Sequence, residues 1–320
     1  MTFVKGSKPL LAVTLGDPAG IGPEVAAKAL ADPRVRRACR TVVVGDAAIW
    51  ARARGRAGAA PDACVDVPAE GRIRPGRWNA ASGRASWRAV DLAADLALAG
   101  RVDGVVTAPI CKAAWHAAGK RFPGHTEFLA RKAGAKAHAM LFVGGPFRVV
   151  LATIHEPLRR VPRLLTSARI ERAAHLAVAE LRSRFGLPRP RVAVAGLNPH
   201  AGEGGLLGRE EQRVIAPAVR ALRASGLAVE GPLPADTLFA RAGERGYDLI
   251  VTMYHDQGLI PFKLTAPHRG VNVTCGLPFV RTSPDHGTAF ELAGRNRAEA
   301  GSMTTAVLTA AEMVRRSHRA

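Results

Sequence analysis

Three histidines stand in one kind of place. Each follows an apolar run by a few residues at most: Thr153-Ile154-His155-Glu156-Pro157, Asn198-Pro199-His200-Ala201-Gly202, and Tyr254-His255-Asp256-Gln257, the last directly after Asp248-Leu249-Ile250-Val251-Thr252. In parallel α/β sheets ligands bind outside the carboxyl ends of the strands, so polar groups at a strand exit face a candidate site. Separations of 45 and 55 residues exclude a local finger motif but suit a site assembled by the fold. Imidazole is the commonest side-chain ligand of divalent transition metals, and three protein ligands with one open position describe a catalytic centre. Capping residues of solvated loops would show the same residue types, so a shared site requires the strands to lie side by side in one sheet.

A second chemistry is offered by Phe122-Pro123-Gly124-His125-Thr126-Glu127-Phe128. A glycine ahead of His125 and Thr126 frees backbone amides at a helix start, and Thr126 is a natural N-cap. The expectation is an anion-binding corner, with plain helix capping as the alternative. Lys263, Asn272 and Arg281 lie along segments that also hold glycines, where a cation or an amide can take phosphate or carboxylate. Gly16-Asp17-Pro18-Ala19-Gly20-Ile21-Gly22-Pro23-Glu24 joins a strand to a helix through three glycines. It has neither the Gly-Lys-Ser/Thr of a P-loop nor the G-x-G-x-x-G pattern, which excludes both generic nucleotide motifs.

The elements that must position these residues alternate between short apolar strands and helical stretches, the mark of α/β layers. Strands are expected over Leu10–Leu15, Thr41–Val44, Val102–Thr107, Ala139–Val143, Val149–Thr153, Val192–Ala195 and Leu249–Thr252. Helices are expected over Pro23–Leu30, Ser86–Ala99, Thr166–Phe185, Glu210–Ser225 and Ser302–Arg316. Arg52–Ala81, rich in Gly, Ala, Pro and Arg, reads as irregular, and Gly144-Gly145-Pro146 reads as a turn between strands.

A length of 320 residues, an apolar share of 48% and a charged share of 22% describe an ordered globular chain with room for two domains. No apolar run approaches the ~20 residues that span a bilayer. Met1–Leu15 lacks the pattern of a signal peptide, so a cytoplasmic location without membrane attachment is expected. Cys39, Cys64, Cys111 and Cys275 are far apart, indicating neither a disulfide framework nor a thiolate zinc site. The net charge of +20 raises nucleic-acid binding. Its arginines, however, are scattered along the chain, and aromatics make up only 5%, so no nucleic-acid partner is expected and an anionic small molecule is the preferred target.

Taken together, GDPAGIGPE, TAPICK, FPGHTEFLA, LNPHAGEGG, MYHDQG and GVNVTCGLPFVRTSPDHGTAFELAG resemble, in order and spacing, the 4-hydroxythreonine-4-phosphate dehydrogenase family of pyridoxal phosphate biosynthesis. GDPAGIGPE and DHGTAFELAG are also similar to segments of isocitrate and isopropylmalate dehydrogenases. That likeness implies a two-domain α/β/α fold with the active site in the interdomain cleft, and a homodimer. Residues 1–127 with 293–320 would form the first domain and 128–292 the second.

The resemblance also implies roles. His155, His200 and His255 would bind one divalent metal ion (zinc, magnesium or cobalt), with His255 supplied by the partner subunit. His125 and Thr126 would hold a small phosphorylated hydroxy-amino-acid substrate, with Lys263, Asn272 and Arg281 completing its pocket. His286, Gly287, Thr288 and Ala289 would meet the adenosine part of NAD, or of NADP. Asp256 and Lys263 are the candidate catalytic proton acceptors, although Asp256 equally suits the orientation of a neighbouring imidazole. The implied reaction is oxidation of 4-phosphooxy-L-threonine at C3 with decarboxylation to 3-amino-2-oxopropyl phosphate. The chain departs from the family at Pro284-Asp285 and at Cys275, where a small thiol replaces an aliphatic residue. Alternatives are a 4-phospho-threonate or 4-phospho-erythronate dehydrogenase of sugar-acid catabolism and, more distantly, a dihydrodiol dehydrogenase or a basic nucleic-acid-binding protein.

Overall fold

The computed structural model describes residues 8–57, 61 and 63–317. The chain divides into two compact units, residues 1–136 with 271–320 and residues 137–270. The boundaries expected from sequence, 127/128 and 292/293, are thereby corrected. Residues 128–136 belong to the first unit because Phe128, Leu129 and Ala130 are buried in its core with Trp115. Residues 271–292 belong there because Val280, Arg281 and Thr282 pair in parallel with Gly104–Val106.

The first unit opens with β1 (Leu10–Thr14), α1 (Gly22–Ala31), α2 (Pro33–Ala38), β2 (Arg40–Gly45), α3 (Ala47–Ala57) and β3 (Ala63–Asp66). It continues with α4 (Ala80–Leu98), β4 (Gly104–Thr107), α5 (Lys112–Ala117) and α6 (His125–Lys132). The second unit comprises β5 (Ala139–Val143), β6 (Val149–Leu151), α7 (Val161–Leu164), α8 (Ser167–Phe185), β7 (Arg191–Ala195), α9 (Ala216–Ala224), β8 (Ala228–Leu233), α10 (Ala235–Ala240), α11 (Ala242–Arg245), β9 (Leu249–Thr252) and α12 (His255–Thr265). The chain then returns to the first unit as β10 (Val271–Cys275), β11 (Val280–Pro284) and α13 (Gly301–Ser317). Both units are mixed α/β, as the alternation of strands and helices predicts.

Strand order in the first unit is β3-β2-β1-β4-β11-β10, and in the second β5-β6-β9-β7-β8. β6, β9 and β7 are neighbours and parallel, so the three histidine-bearing exits leave one sheet side by side and at the same end. Core packing explains why these strands are continuously apolar. β9 is buried at every position, and α12 lies on the sheet through Leu259 and Phe262. Strands covered on both faces lose the polar alternation of a half-solvated sheet.

Several expected boundaries move. Arg52–Ala81 is not wholly irregular: α3 runs into it, β3 pairs in parallel with β2, and Asn79 caps α4 by accepting from the Ser82 amide at 2.8 Å. Residues 58–60 and 62 of that stretch lie outside the described residues. This cap, with the Ser82 hydroxyl accepting from the Asn79 amide, starts α4 six residues ahead of Ser86. The helix expected over Glu210–Ser225 begins as a π-turn, Glu211–Ile215, before α9. The Gly144-Gly145-Pro146 turn does join two strands, the antiparallel β5 and β6.

Candidate functional site

In the first unit, α6 begins at His125 with Gly124 as its N-cap, and Thr126 makes no capping bond. Thr126 is therefore not the cap expected from its type. Its buried hydroxyl lies 3.5 Å from that of Thr274 on β10. Arg281, on β11, is 1% exposed, and its guanidinium donates to Thr274 Oγ1 at 2.9 Å and Thr107 Oγ1 at 2.6 Å. Among the described residues no carboxylate pairs with it. Burial pushes its pKa down to about 9, still above neutrality, so the group carries a buried positive charge at pH 7. His125 is held well below its ordinary pKa by burial and by the nearby charges of Arg281 and Lys112, and it is neutral there.

Two buried polar atoms here have no hydrogen-bond partner, Arg281 Nε and His125 Nε2, and Asn272 Oδ1, two residues before Thr274 on β10, has none either. Unpaired buried polar atoms and an uncompensated buried charge each cost free energy, and an anionic, hydrogen-bonding ligand relieves both. The first unit thus brings His125, Thr126 and Arg281 into one polar cluster. Thr107 and Thr274, which hold the guanidinium, were not singled out in the sequence, where a threonine in a strand looks like any other.

In the second unit the rings of His155 and His255 are 5.4 Å apart between centroids, tilted by 39°. Both rings belong to one chain, whereas the resemblance takes the His255 of each metal from the partner subunit, so the spacing shows two neighbouring strand exits and not two ligands of one ion. Asp256 Oδ1 lies 2.6 Å from His255 Nδ1, which leaves Nε2 as the free donor. A carboxylate on the second nitrogen is the usual companion of a metal-binding histidine. Among the described residues no group of three His, Cys, Asp or Glu side chains is arranged to hold a metal, so His200 is not gathered with the pair. Lys263 lies exposed on α12. His255 and Asp256 form the first turn of that helix, not the open loop that their polarity resembles.

Backbone strain is concentrated at the same exits. His155 has φ +47°. The turn after β7 runs left-handed through His200 (φ +52°), Ala201, Gly202, Glu203 and Gly204. For non-glycine residues this conformation costs about 1–2 kcal/mol each and persists only where the surroundings impose it.

The third segment, His286–Ala289, is held in the first unit. Ile21 N donates to Thr288 O at 2.9 Å, and a Cβ on Gly20 would stand 2.8 Å from the same oxygen. Alongside lies a cavity of about 200 Å³ lined by Pro18, Gly20, Ile49, Ile73, Pro75 and Asn296 among others. His286 Nε2 is buried without a partner. The cavity is mainly apolar, with Glu24, Arg52 and Asn296 as its polar lining, and it adjoins the glycine-rich turn at Gly20. The cavity-lining residues outside Gly16–Glu24, from Ile49 to Asn296, were not singled out in the sequence, because they come from distant segments and most are apolar or small.

The profile of the family described as "Pyridoxal phosphate biosynthetic protein PdxA" matches residues 33–310. The 4-hydroxythreonine-4-phosphate dehydrogenase of Geobacter metallireducens is 48% identical, over 97% of this chain and 96% of that one. The crystal structure of the Klebsiella pneumoniae 4-hydroxythreonine-4-phosphate dehydrogenase superposes with a TM-score of 0.85 at 42% identity, covering 97% of this chain and 99% of that one. A terephthalate 1,2-cis-dihydrodiol dehydrogenase from Burkholderia xenovorans superposes with a TM-score of 0.64 at 34% identity, over 93% and 98% of the respective chains.

Proposed function

The chain belongs to the PdxA family and is an oxidoreductase, and from that premise we propose that it oxidises 4-phosphooxy-L-threonine at C3 with NAD and a divalent metal, with decarboxylation to 3-amino-2-oxopropyl phosphate, in pyridoxal phosphate biosynthesis. The observation that carries the substrate class is the buried Arg281, held by two threonine hydroxyls and by no ion pair. A buried cation held by hydroxyls and ion-paired to no carboxylate suits an anion, and arginine binds phosphate or carboxylate in a two-pronged geometry. His125, Thr126 and Asn272 add neutral hydrogen-bonding groups, and Lys263 a further charge from α12.

His155 and His200 of one protomer and His255 of the partner subunit are the proposed metal ligands, with Asp256 orienting His255. The donor set suits zinc or cobalt, since imidazole ranks among the preferred ligands of both. A cation held there would supply Lewis acidity toward a substrate oxygen, and NAD would supply the hydride acceptor. The chain's own part is to fix the anionic ends of the substrate through Arg281, to keep His125 neutral as a hydrogen-bonding partner, and to receive the hydroxyl proton. For that proton Lys263 is the better candidate, because Asp256 is already committed to His255 Nδ1. The His286–Ala289 loop and its neighbouring cavity are assigned to the adenosine part of the coenzyme. A homodimer is supported by apolar side chains left in solvent, Leu264 at 77% and Ile260 at 59% exposure on α12 and Leu206 at 85% in the turn after His200.

The test follows NADH formation from 4-phosphooxy-L-threonine, 4-phospho-D-erythronate and 4-phospho-threonate, each with and without a chelator. Turnover of the amino-acid phosphate, lost on chelation and restored by a divalent metal, is the expected result. Preference for a sugar-acid phosphate overturns the substrate but keeps the chemistry; turnover of none overturns the assignment.

A further inference from the structure

The glycine-rich turn after β1 carries a titratable group that the proposed mechanism leaves unused. Asp17 is 0% exposed, and its two carboxylate oxygens are held separately. Oδ1 accepts from Ala19 N, two residues on, at 2.9 Å, and Oδ2 accepts from the Ser82 hydroxyl at the start of α4 at 3.3 Å. Burial pushes the carboxyl pKa up, and these two bonds oppose the shift. Taking a carboxylate out of water with only two neutral partners costs free energy, so the group stands there for what it fixes. What it fixes is the turn, and the turn touches three separate segments. Asp17 N donates to Pro109 O at 2.8 Å, an approach so close that a Cβ on Gly16, at φ +66°, would stand 2.2 Å from the same oxygen. Ala19 O accepts from Gly76 N at 2.8 Å, and Ile21 N donates to Thr288 O at 2.9 Å. Those bonds gather the cavity described above. Pro18 and Gly20 line it from the turn, Pro75 from the segment joined at Gly76, and Gly294 from the segment that follows Thr288. Asp17 Oδ1 bonds Ala19, which lies between Pro18 and Gly20 and whose carbonyl holds Gly76. One carboxylate thus sets the conformation through which three walls of the cavity meet.

We propose that Asp17 is a positioning residue for the coenzyme: through Ala19 and Ser82 it holds the turn in the form that presents Pro18 and Gly20 to the adenosine part, without itself touching coenzyme or substrate. The inference rests on the assignment of this cavity to adenosine and deepens it. The bond to a backbone N–H two residues on needs a side-chain oxygen on a short stem, so asparagine can replace it, and its amide can donate to the Ser82 hydroxyl. Alanine can do neither. Asp17→Asn should therefore behave as the wild-type protein where Asp17→Ala does not, an outcome that a requirement for the negative charge would not give.

The experiment measures ADP-ribose binding by calorimetry in the wild-type protein, Asp17→Asn, Asp17→Ala and Ala53→Phe, which places a ring in the cavity. Ligand-free thermal melting reports the fold, and steady-state kinetics give the NAD and substrate KM. The expected result for Asp17→Ala is an ADP-ribose Kd raised about 10-fold, below the ~100-fold that a misplacement of about 1 Å can cost. Its NAD KM should rise in step while its substrate KM stays unchanged, and Asp17→Asn should restore near-wild-type affinity. Wild-type affinity in a folded Asp17→Ala overturns the positioning role. Equal losses in Asp17→Asn and Asp17→Ala overturn it too, as does a substrate KM raised as much as the NAD KM, which marks a general loss of structure. If Asp17→Ala does not fold, Ser82→Ala, which frees Oδ2 alone, decides: a raised ADP-ribose Kd supports the role and wild-type affinity overturns it. Failure of the wild-type protein to bind ADP-ribose, or undiminished binding in Ala53→Phe, sinks the cavity assignment itself and is thereby distinguished from failure of this inference.

Discussion

At the scale of single residues, the charge of Arg281 is the sharpest determinant. It is buried with two hydroxyl partners and ion-pairs with no carboxylate, Glu127 acting on it only through space, so the guanidinium retains donors for an anion. Arg281→Lys retains charge but loses the planar fork, and a lysine cannot satisfy Thr107 and Thr274 while also gripping two oxygens. Removing one partner of a buried, hydrogen-bonded charge pair costs about 2–5 kcal/mol of binding. The expected outcome in steady-state kinetics is a substrate KM raised ~30-fold or more with the NAD KM within a few-fold of wild type; equal increases in both would remove Arg281 from the substrate. The positive charge at this residue was readable from its type. That it is buried and unpaired was not, because burial depends on β4, β10 and β11 meeting around it.

At the scale of elements, α12 carries much of the argument. It begins directly at the β9 exit and lies so close to the sheet that a Cβ on Gly258 would stand 2.6 Å from Val149 Cγ1 and 2.7 Å from Thr252 Oγ1. Helix propensity favours almost any residue over glycine by up to about 1 kcal/mol, while overpacking costs about 1–3 kcal/mol, so the clash prevails. Gly258→Val is expected to lower the denaturant midpoint accordingly, and to weaken metal binding because the shifted helix carries His255. Gly243→Ala, whose new methyl would meet nothing within 4 Å, serves as the control that should not destabilise. An unchanged midpoint for Gly258→Val would show that the helix can lift without cost. The helix was missed from sequence because His-Asp-Gln-Gly looks like a loop and Pro261 like a breaker; both are tolerated because tertiary packing of Leu259 and Phe262 outweighs local preference.

At the scale of the whole molecule, a ligand that binds the folded chain and not the unfolded one must raise its stability by mass action. A divalent cation at about 100 times its Kd should add about 2.7 kcal/mol, read as a rise in melting temperature that chelator reverses and that His200→Ala abolishes. A rise of equal size in His200→Ala would place the ion elsewhere. On the proposed function, the net charge of +20 would act as a field that draws an anionic substrate and coenzyme toward the chain.

By itself the amino-acid sequence determined the α/β class, the seven strands first expected from it, and the residue types at the sites, because apolar periodicity and side-chain chemistry are local properties. The four remaining strands, β3, β8, β10 and β11, were not legible: β3 has four residues, β8 carries Gly and Pro, β11 carries Arg and Pro, and Asn272 breaks the apolar run of β10. Strand order was decided by tertiary structure alone. The placing of β9 between β6 and β7 turns three separate histidine segments into neighbours. The unit boundaries were decided in the same way, because β11 joins the first unit through a ladder to β4, a partner well over a hundred residues earlier.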